Sequence, residues 1–380
     1  AQATLTIPSG DWQYGENAII AYSCKQIGGS LDCGKQNQND NQRRWRRHLF
    51  TVSQGGQQPK GNEAAMRIKE EADWIISCCK RATGALRLAS NGNINPYFSN
   101  FAAEGLLVGG SDYSVDVKGW MQWYLAHLNR PDHLGVYGTV YDYSVTPAGV
   151  EQSTGNYDSS DSYAATFLSL VRKYYDATGD LQFIQDNLAD LKVVAGAIDA
   201  TLQPDGLTWA KKDYQIKYLM DNVEVWQGYS DFAYLLTLVD DPAAAQYSAK
   251  ANQVRNGIEA NLWDTVNQQY YPHFGGAMNW NTFYPNATAN MWPLIFNLPE
   301  AEARTNALWQ KFITNHPTWK TNQADAFPWT AHALAAIEAG DTTTAREFDE
   351  NTRAKFLPAR QWTWNTNEAG WYIRYTKRLY

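Results

Sequence analysis

The 380-residue sequence contains no run of ~18 or more apolar residues, so nothing in it reads as a membrane-spanning helix. It also lacks a basic excess. Its 32 Lys and Arg stand against 39 Asp and Glu, and the net charge of −7 argues against a general binder of nucleic acid or anionic membranes. Cysteine is scarce, at four residues, and the cysteines do not have zinc-site spacing. Cys24 and Cys33 flank a Gly-rich loop that a bond between them would close, whereas Cys78 and Cys79 are direct neighbours. A bond between neighbours is strained, which points to a partner elsewhere or to free thiols. No phosphate loop, dinucleotide fingerprint or Cys/His nucleophile set is visible. Neither a metal nor an obligatory cofactor is therefore expected. The start Ala1-Gln2-Ala3, with no Met and no basic-then-apolar leader, leads us to expect a secreted or periplasmic protein, and we expect a monomer.

Aromatic residues, by contrast, are abundant. They make up 14% of the chain, with 16 Trp and 23 Tyr. A core alone seldom needs so many rings that carry a polar handle. A wet surface on which flat pyranose faces stack would use them.

From about Gly61 the sequence reads as helix after helix, punctuated by Gly, Pro, Asn and Asp. Twelve segments begin near Gly61, Pro96, Asp112, Ser159, Asp180, Met220, Pro242, Asn286, Pro299, Ala324, Asp341 and Asn367. The odd-numbered ones have one charged face, as in Arg67-Ile68-Lys69-Glu70-Glu71. The even-numbered ones are small and apolar around most of their circumference, as in Thr330-Ala331-His332-Ala333-Leu334-Ala335-Ala336. Six buried helices alternating with six amphipathic ones predict an all-α, two-layered (α/α)6 toroid over residues 61–380. The inner helices then run parallel, and their N-termini share one face. Residues 1–60, polar and carrying the basic cluster Arg43-Arg44-Trp45-Arg46-Arg47, are expected to form an arm packed on the barrel. Within residues 131–156, the alternation in Gly135-Val136-Tyr137-Gly138-Thr139-Val140-Tyr141-Asp142-Tyr143 predicts a β-like insertion that walls or covers the cleft.

Several inner-helix starts combine a carboxylate or amide with aromatic residues. They are Tyr157-Asp158-Ser159-Ser160-Asp161-Ser162-Tyr163, Tyr218 through Trp226 with Asp221 and Glu224, Asp325-Ala326-Phe327-Pro328-Trp329, and Trp364 through Trp371 with Glu368. An Asp at such a position can simply cap the helix. Two like-charged i, i+3 pairs at one mouth are costly without a purpose, however, because close carboxylates raise one another's pKa. A raised pKa suits a general acid working near neutral pH. Glycosidic cleavage needs such an acid and a second carboxylate across the bond. The candidates for catalysis are therefore Asp221, Glu224, Glu368, Asp158 and Asp161. Tyr97, Tyr157, Tyr163, Trp226, Trp292, Asp325, Trp329, Trp364 and Trp371 are the candidates for holding sugar. His332 reads as a packing histidine. Clustered carboxylates also bind calcium, but the spacing of an EF-hand loop is absent.

These motifs resemble the six-hairpin glycosidase superfamily, and the resemblance covers residues 61–380. Asp158-Ser-Ser-Asp161-Ser-Tyr-Ala is similar to the Asp-rich helix start of glycoside hydrolase family 8, without its Asp-x-Asp spacing. Glu104-Gly105 is similar to the Glu-Gly that supplies the acid in that family. Glu104 nevertheless falls about two turns, ~13 Å, into its helix, which makes it a buried structural residue. Glucoamylase-like members take their acid near the third inner helix start and their base near the last; those places hold Asp221 and Glu224, and Glu368. The resemblance implies a glycoside hydrolase acting on a polysaccharide or oligosaccharide. The alternatives are a polysaccharide lyase, an unsaturated uronyl hydrolase, or a non-catalytic sugar-binding protein on the same scaffold. The many aromatics favour an open cleft and endo action, which a lid at residues 131–156 would reverse.

Overall fold

The computed structural model describes residues 61–380 throughout. Before them it describes only the backbones of four short strands: β1 (Gly15–Ile20), β2 (Lys25–Ile27), β3 (Ser30–Asp32) and β4 (Arg47–Val52). β1 pairs antiparallel with β4, and β2 with β3. The chain divides into two compact units, Ala1–Lys60 and Gly61–Tyr380. Cys24, Cys33 and the packing expected of the arm lie outside the described residues.

Residues 61–380 form an all-α toroid. Its inner segments are α2 (Pro96–Gly109), α4 (Asp161–Thr178), α7 (Leu219–Leu238), α9 (Trp292–Ile295), α11 (His332–Glu338) and α13 (Thr366–Leu379). The outer segments are α1 (Gly61–Cys79), α3 (Ser114–Ala126), the pair α5 (Leu181–Asp186) and α6 (Leu188–Asp199), α8 (Ala244–Asn261), α10 (Thr305–Asn315) and α12 (Thr342–Lys355). Each inner segment packs on the next, α2 on α4, α4 on α7, α7 on α9, α9 on α11 and α11 on α13, and α13 returns to α2 to close the ring. The closure depends on two glycines. A Cβ at Gly105 of α2 would lie 2.5 Å from the Gly370 Cα of α13, so only glycine lets these two backbones meet.

Burial follows the two layers. Every residue of α4 from Asp161 to Arg172 is buried, because α2 and α7 flank it in the ring and α3 and α6 cover it from outside. Helix starts are set by local chemistry. Asn95 accepts from the Phe98 amide ahead of Pro96, Asp180 from Phe183, Asp341 from Thr344, and Asn365 from Glu368.

Several expectations change. The helix placed near Ala324 begins at His332, because residues 325–328 form a turn in which Asp325 accepts from the Phe327 amide. The β-like insertion is shorter than its alternation suggested, with β5 (Tyr143–Val145) pairing with β6 (Glu151–Ser153) and no strand between residues 135 and 142. Cys78 and Cys79 are bonded to each other, not paired elsewhere or free. A further hairpin, β7 (Trp263–Asp264) with β8 (Gln269–Tyr270), follows α8. No helix among the described residues is long and apolar enough to cross a membrane.

Candidate active site

A cavity of about 720 Å³ opens at the N-terminal end of the inner ring. All six inner segments contribute to its lining from their starts: Tyr97, Tyr163, Asp221, Trp292, Ala331 just ahead of α11, and Glu368. This is the shared face that parallel inner helices require. Its volume lies in the range of small-ligand sites, ~300–1,000 Å³.

Three carboxylates line the cavity: Asp158, Asp221 and Glu368. Asp221 lies in the first turn of α7, the third inner segment, and Glu368 in the first turn of α13, the sixth. In a closed ring of six these two helices lie opposite each other. Burial pushes the Asp221 carboxyl up to about 7, and the Asp158 carboxylate adds to the shift. The rise comes despite hydrogen bonding from the Asp221 backbone, so loss of solvent outweighs the favourable helix start. Glu368 is nearly inaccessible, and its Oε2 accepts from the Thr330 amide (2.8 Å) and hydroxyl (2.6 Å). Burial still holds its pKa above the usual range, with these hydrogen bonds acting in opposition. Asn365, which caps α13 through the Glu368 amide, fixes the backbone beneath this carboxylate.

Glu224 and Asp161 are drawn behind the wall and are absent from the lining. Glu224 lies three residues, or ~4.5 Å, deeper in α7 than Asp221. Its Oε1 accepts from the Tyr97 hydroxyl (2.7 Å) and the Trp292 indole (2.8 Å), which ties α2, α7 and α9 together. Burial first, and Asp221 second, hold Glu224 well above the usual carboxylate range. Asp161 is fully buried, accepting from the Thr208 hydroxyl (2.6 Å) and the Ser162 amide (2.8 Å), and the same two causes raise it. Among the described residues no three His, Cys, Asp or Glu side chains gather as a metal would require.

The aromatic candidates divide in the same way. Tyr97, Tyr163, Trp292, Trp329 and Trp371 line the cavity. Tyr157, Trp226, Trp364 and Asp325 do not. Tyr157 is buried with its hydroxyl on Asp132 (2.6 Å), and Trp364 is buried against Phe356 with its indole on Glu71. His332 is enclosed by Phe312, Trp319, Trp329 and Trp292, and burial lowers its pKa to about 3. Residues 131–156 contribute nothing to the lining. Asp142 instead holds the Tyr163 hydroxyl and the Asn95 amide from behind (both 3.1 Å).

Sequence reading missed Tyr214, Tyr284 and Trp362, and quoted Tyr218 and Phe327 in its motifs without choosing them as sugar-holding candidates; all five line the cavity. All lie in connecting segments without helical period, where no pattern assigns a face. The Tyr214 and Tyr218 hydroxyls meet at 2.8 Å, and Tyr284 packs on Trp329 at 5.1 Å between ring centres. Tyr284 and Trp362 stay 55% and 61% exposed, which marks them as rim rather than core.

The fold and mouth together define an (α/α)6 toroid with an acidic, aromatic pocket. Among solved structures the chain is similar in fold to a protein described as a wild-type glycosidase, at 15% identity over 85% of this chain and 99% of that one, with a TM-score of 0.61. It is also similar to a rhamnosidase from Klebsiella oxytoca with rhamnose bound, at 12% identity over 88% of this chain and 69% of that one, with a TM-score of 0.55. A family 76 glycoside hydrolase from a Bacteroides thetaiotaomicron strain is similar at 11% identity, covering 96% of this chain and 83% of that one, with a TM-score of 0.52. No family model matches the sequence, and no curated protein matches it. At these identities the likeness is one of fold, and these structural neighbours are glycosidases.

Proposed function

We propose that this protein is a glycoside hydrolase in which Asp221 is the general acid and Glu368 the opposing carboxylate. The observation that carries the reading is the placement of these two groups on opposite helices of the ring, facing one cavity walled by aromatic rings. Asp221, held near neutrality by burial, donates its proton to the glycosidic oxygen as the bond to the anomeric carbon breaks and the electron pair leaves with that oxygen. Glu368, fixed by Thr330, acts from the other side. It either takes a proton from the attacking water or bonds to the anomeric carbon itself, and the anomer first released reports which. Asp158 sustains the high pKa of Asp221. Glu224 and Asp161 hold the helices that carry the site. One carboxylate at the third inner helix and one at the last is also the arrangement of glucoamylase-like enzymes.

The test is hydrolysis of a panel of neutral oligosaccharides by Asp221→Asn and Glu368→Gln. Each substitution is expected to lower kcat by ~10²–10⁴-fold in a chain that still folds and unfolds cooperatively. Turnover unchanged in either variant removes that residue from the mechanism.

A further inference from the structure

We propose that the pocket takes the end of an uncharged oligosaccharide, inserted end-on, and does not accept a uronate chain. The proposal rests on the glycosidase reading for its chemistry, but its argument is the shape and charge of the cavity.

The shape comes from the floor. Below the carboxylates, Phe101 of α2 packs on Trp371 of α13 at 4.7 Å between ring centres, and Phe296, just after α9, packs on both at 6.3 and 6.2 Å. Trp292 approaches Trp371 from the same side at 6.5 Å. Deeper in the ring Glu104 is ion-paired with Lys173 of α4 (2.6 Å) and Arg374 of α13 (2.7 Å). The axis of the toroid is therefore filled by side chains from α2, α4, α13 and the α9 segment, and the cavity is blind. A chain that enters along the axis therefore stops at this floor and presents an end. Above the carboxylates the exposed rings of Tyr284 and Trp362 stand at the rim, where the next sugars of the same chain would lie. The apolar C–H face of a pyranose suits the electron-rich face of such a ring.

The charge comes from the lining, where the described residues include three carboxylates and no Lys, Arg or His. Three basic residues that flank the lining in sequence are engaged elsewhere, and Lys212 is exposed outside it. Arg87 donates to the Gly92 carbonyl (2.7 Å), Lys211 to the Tyr157 carbonyl (3.0 Å), and Lys217 pairs with Asp205. A uronate carboxylate entering here would meet no cation in the lining, and each lining carboxylate that is ionised would repel it. A lyase or a uronyl hydrolase needs the opposite arrangement, a cation set against the acid group.

The experiment has a product arm and a binding arm, both on the full chain. Maltohexaose, mannohexaose and hexagalacturonate labelled at the reducing end are incubated with the wild type, and early products are separated by size. The same three probes are titrated calorimetrically into Asp221→Asn and into Asp221→Asn/Trp362→Ala. The proposal expects at least one neutral hexaose to lose one terminal unit at a time. It also expects that hexaose to bind at least ~10-fold tighter than hexagalacturonate, and binding to weaken ~5-fold or more without Trp362. Internal fragments as first products, hexagalacturonate bound as tightly as the neutral chains, or no binding by any probe each overturn it. Preferential binding of a neutral hexaose without turnover by the wild type would sustain the pocket assignment and remove the hydrolase reading instead.

Discussion

Glu104 and Glu224 are both on inner helices and both 1% exposed, yet the fold surrounds them in opposite ways. Glu104 meets two cations, Lys173 and Arg374. Glu224 meets only neutral donors, Tyr97 and Trp292, and its Oε2 has no hydrogen-bond partner among the described residues. The contrast extends to other acids. Buried Glu71 is paired with Arg360, and buried Asp349 with Arg67, both away from the cavity, whereas Asp161, Asp221, Glu224 and Glu368 cluster around the mouth with no ion pair among the described residues. Buried charges that serve the fold are neutralised by a partner, and removing that partner is expensive. Burial raises the carboxyls of Glu71 and Asp349 as well, but there a cation is among the groups that oppose the rise, whereas around the mouth only neutral donors oppose it. Whether a basic residue accompanies a buried acid thus divides the body of the ring from its mouth.

The largest effect that would break this comparison is catalytic. If the unpaired acids are the chemical ones, Asp221→Asn and Glu368→Gln lose ~10²–10⁴-fold in kcat, while Glu104→Gln retains turnover in whatever fraction stays folded. Stability should show the reverse. Glu104→Gln strands Lys173 and Arg374 in the ring and is expected to cost ~3–5 kcal/mol by denaturant titration. Glu224→Gln can keep accepting from Tyr97 and Trp292 and should fall within ~1 kcal/mol of the wild type. Equal losses for the two would erase the distinction. A smaller effect is expected at Asn365, where Asn365→Ala removes the cap of α13 and should cost ~1 kcal/mol.

The pH dependence sharpens the comparison further. Asp221 titrates near 7 in the fold against an ordinary value of 3.8, so between these values the folded chain holds a proton that the unfolded chain has lost. Stability from this group therefore falls as pH rises through that window. Asp221→Asn, which mimics the neutral form, should gain in melting temperature relative to the wild type from about pH 4 to about pH 7 and gain nothing more above it. Activity should fall above about pH 7 as the acid ionises, and Asp158→Asn should move that limb to lower pH. A limb that stays in place in Asp158→Asn would remove Asp158 from the electrostatics of the acid.

Much of this architecture was legible in the chain. Alternation of apolar and one-sided helices is a local property, set by which residues recur every three or four positions, so six inner and six outer segments could be counted before any packing was known. The parallel inner starts followed from the count. Local pattern was weakest where the chain is irregular. The fourth inner segment, expected from Asn286, is a wide turn at Phe283–Ala287 and then the single turn of α9. The tyrosines and tryptophan of the rim lie in such segments too.

What the sequence by itself determined is therefore the toroid and the face on which its five candidate carboxylates were expected to gather. Tertiary structure decided depth and direction. The i, i+3 spacing of Asp221 and Glu224 puts them on one side of α7 but not at one level, and only the packing of α2 and α9 against that helix left the first in the cavity and sealed the second beneath it. Asp158 and Asp161 part in the same way, one exposed at the mouth and one buried on Thr208. Helical period sets azimuth, whereas accessibility depends on what the neighbouring helices cover, and that is fixed only when the ring closes.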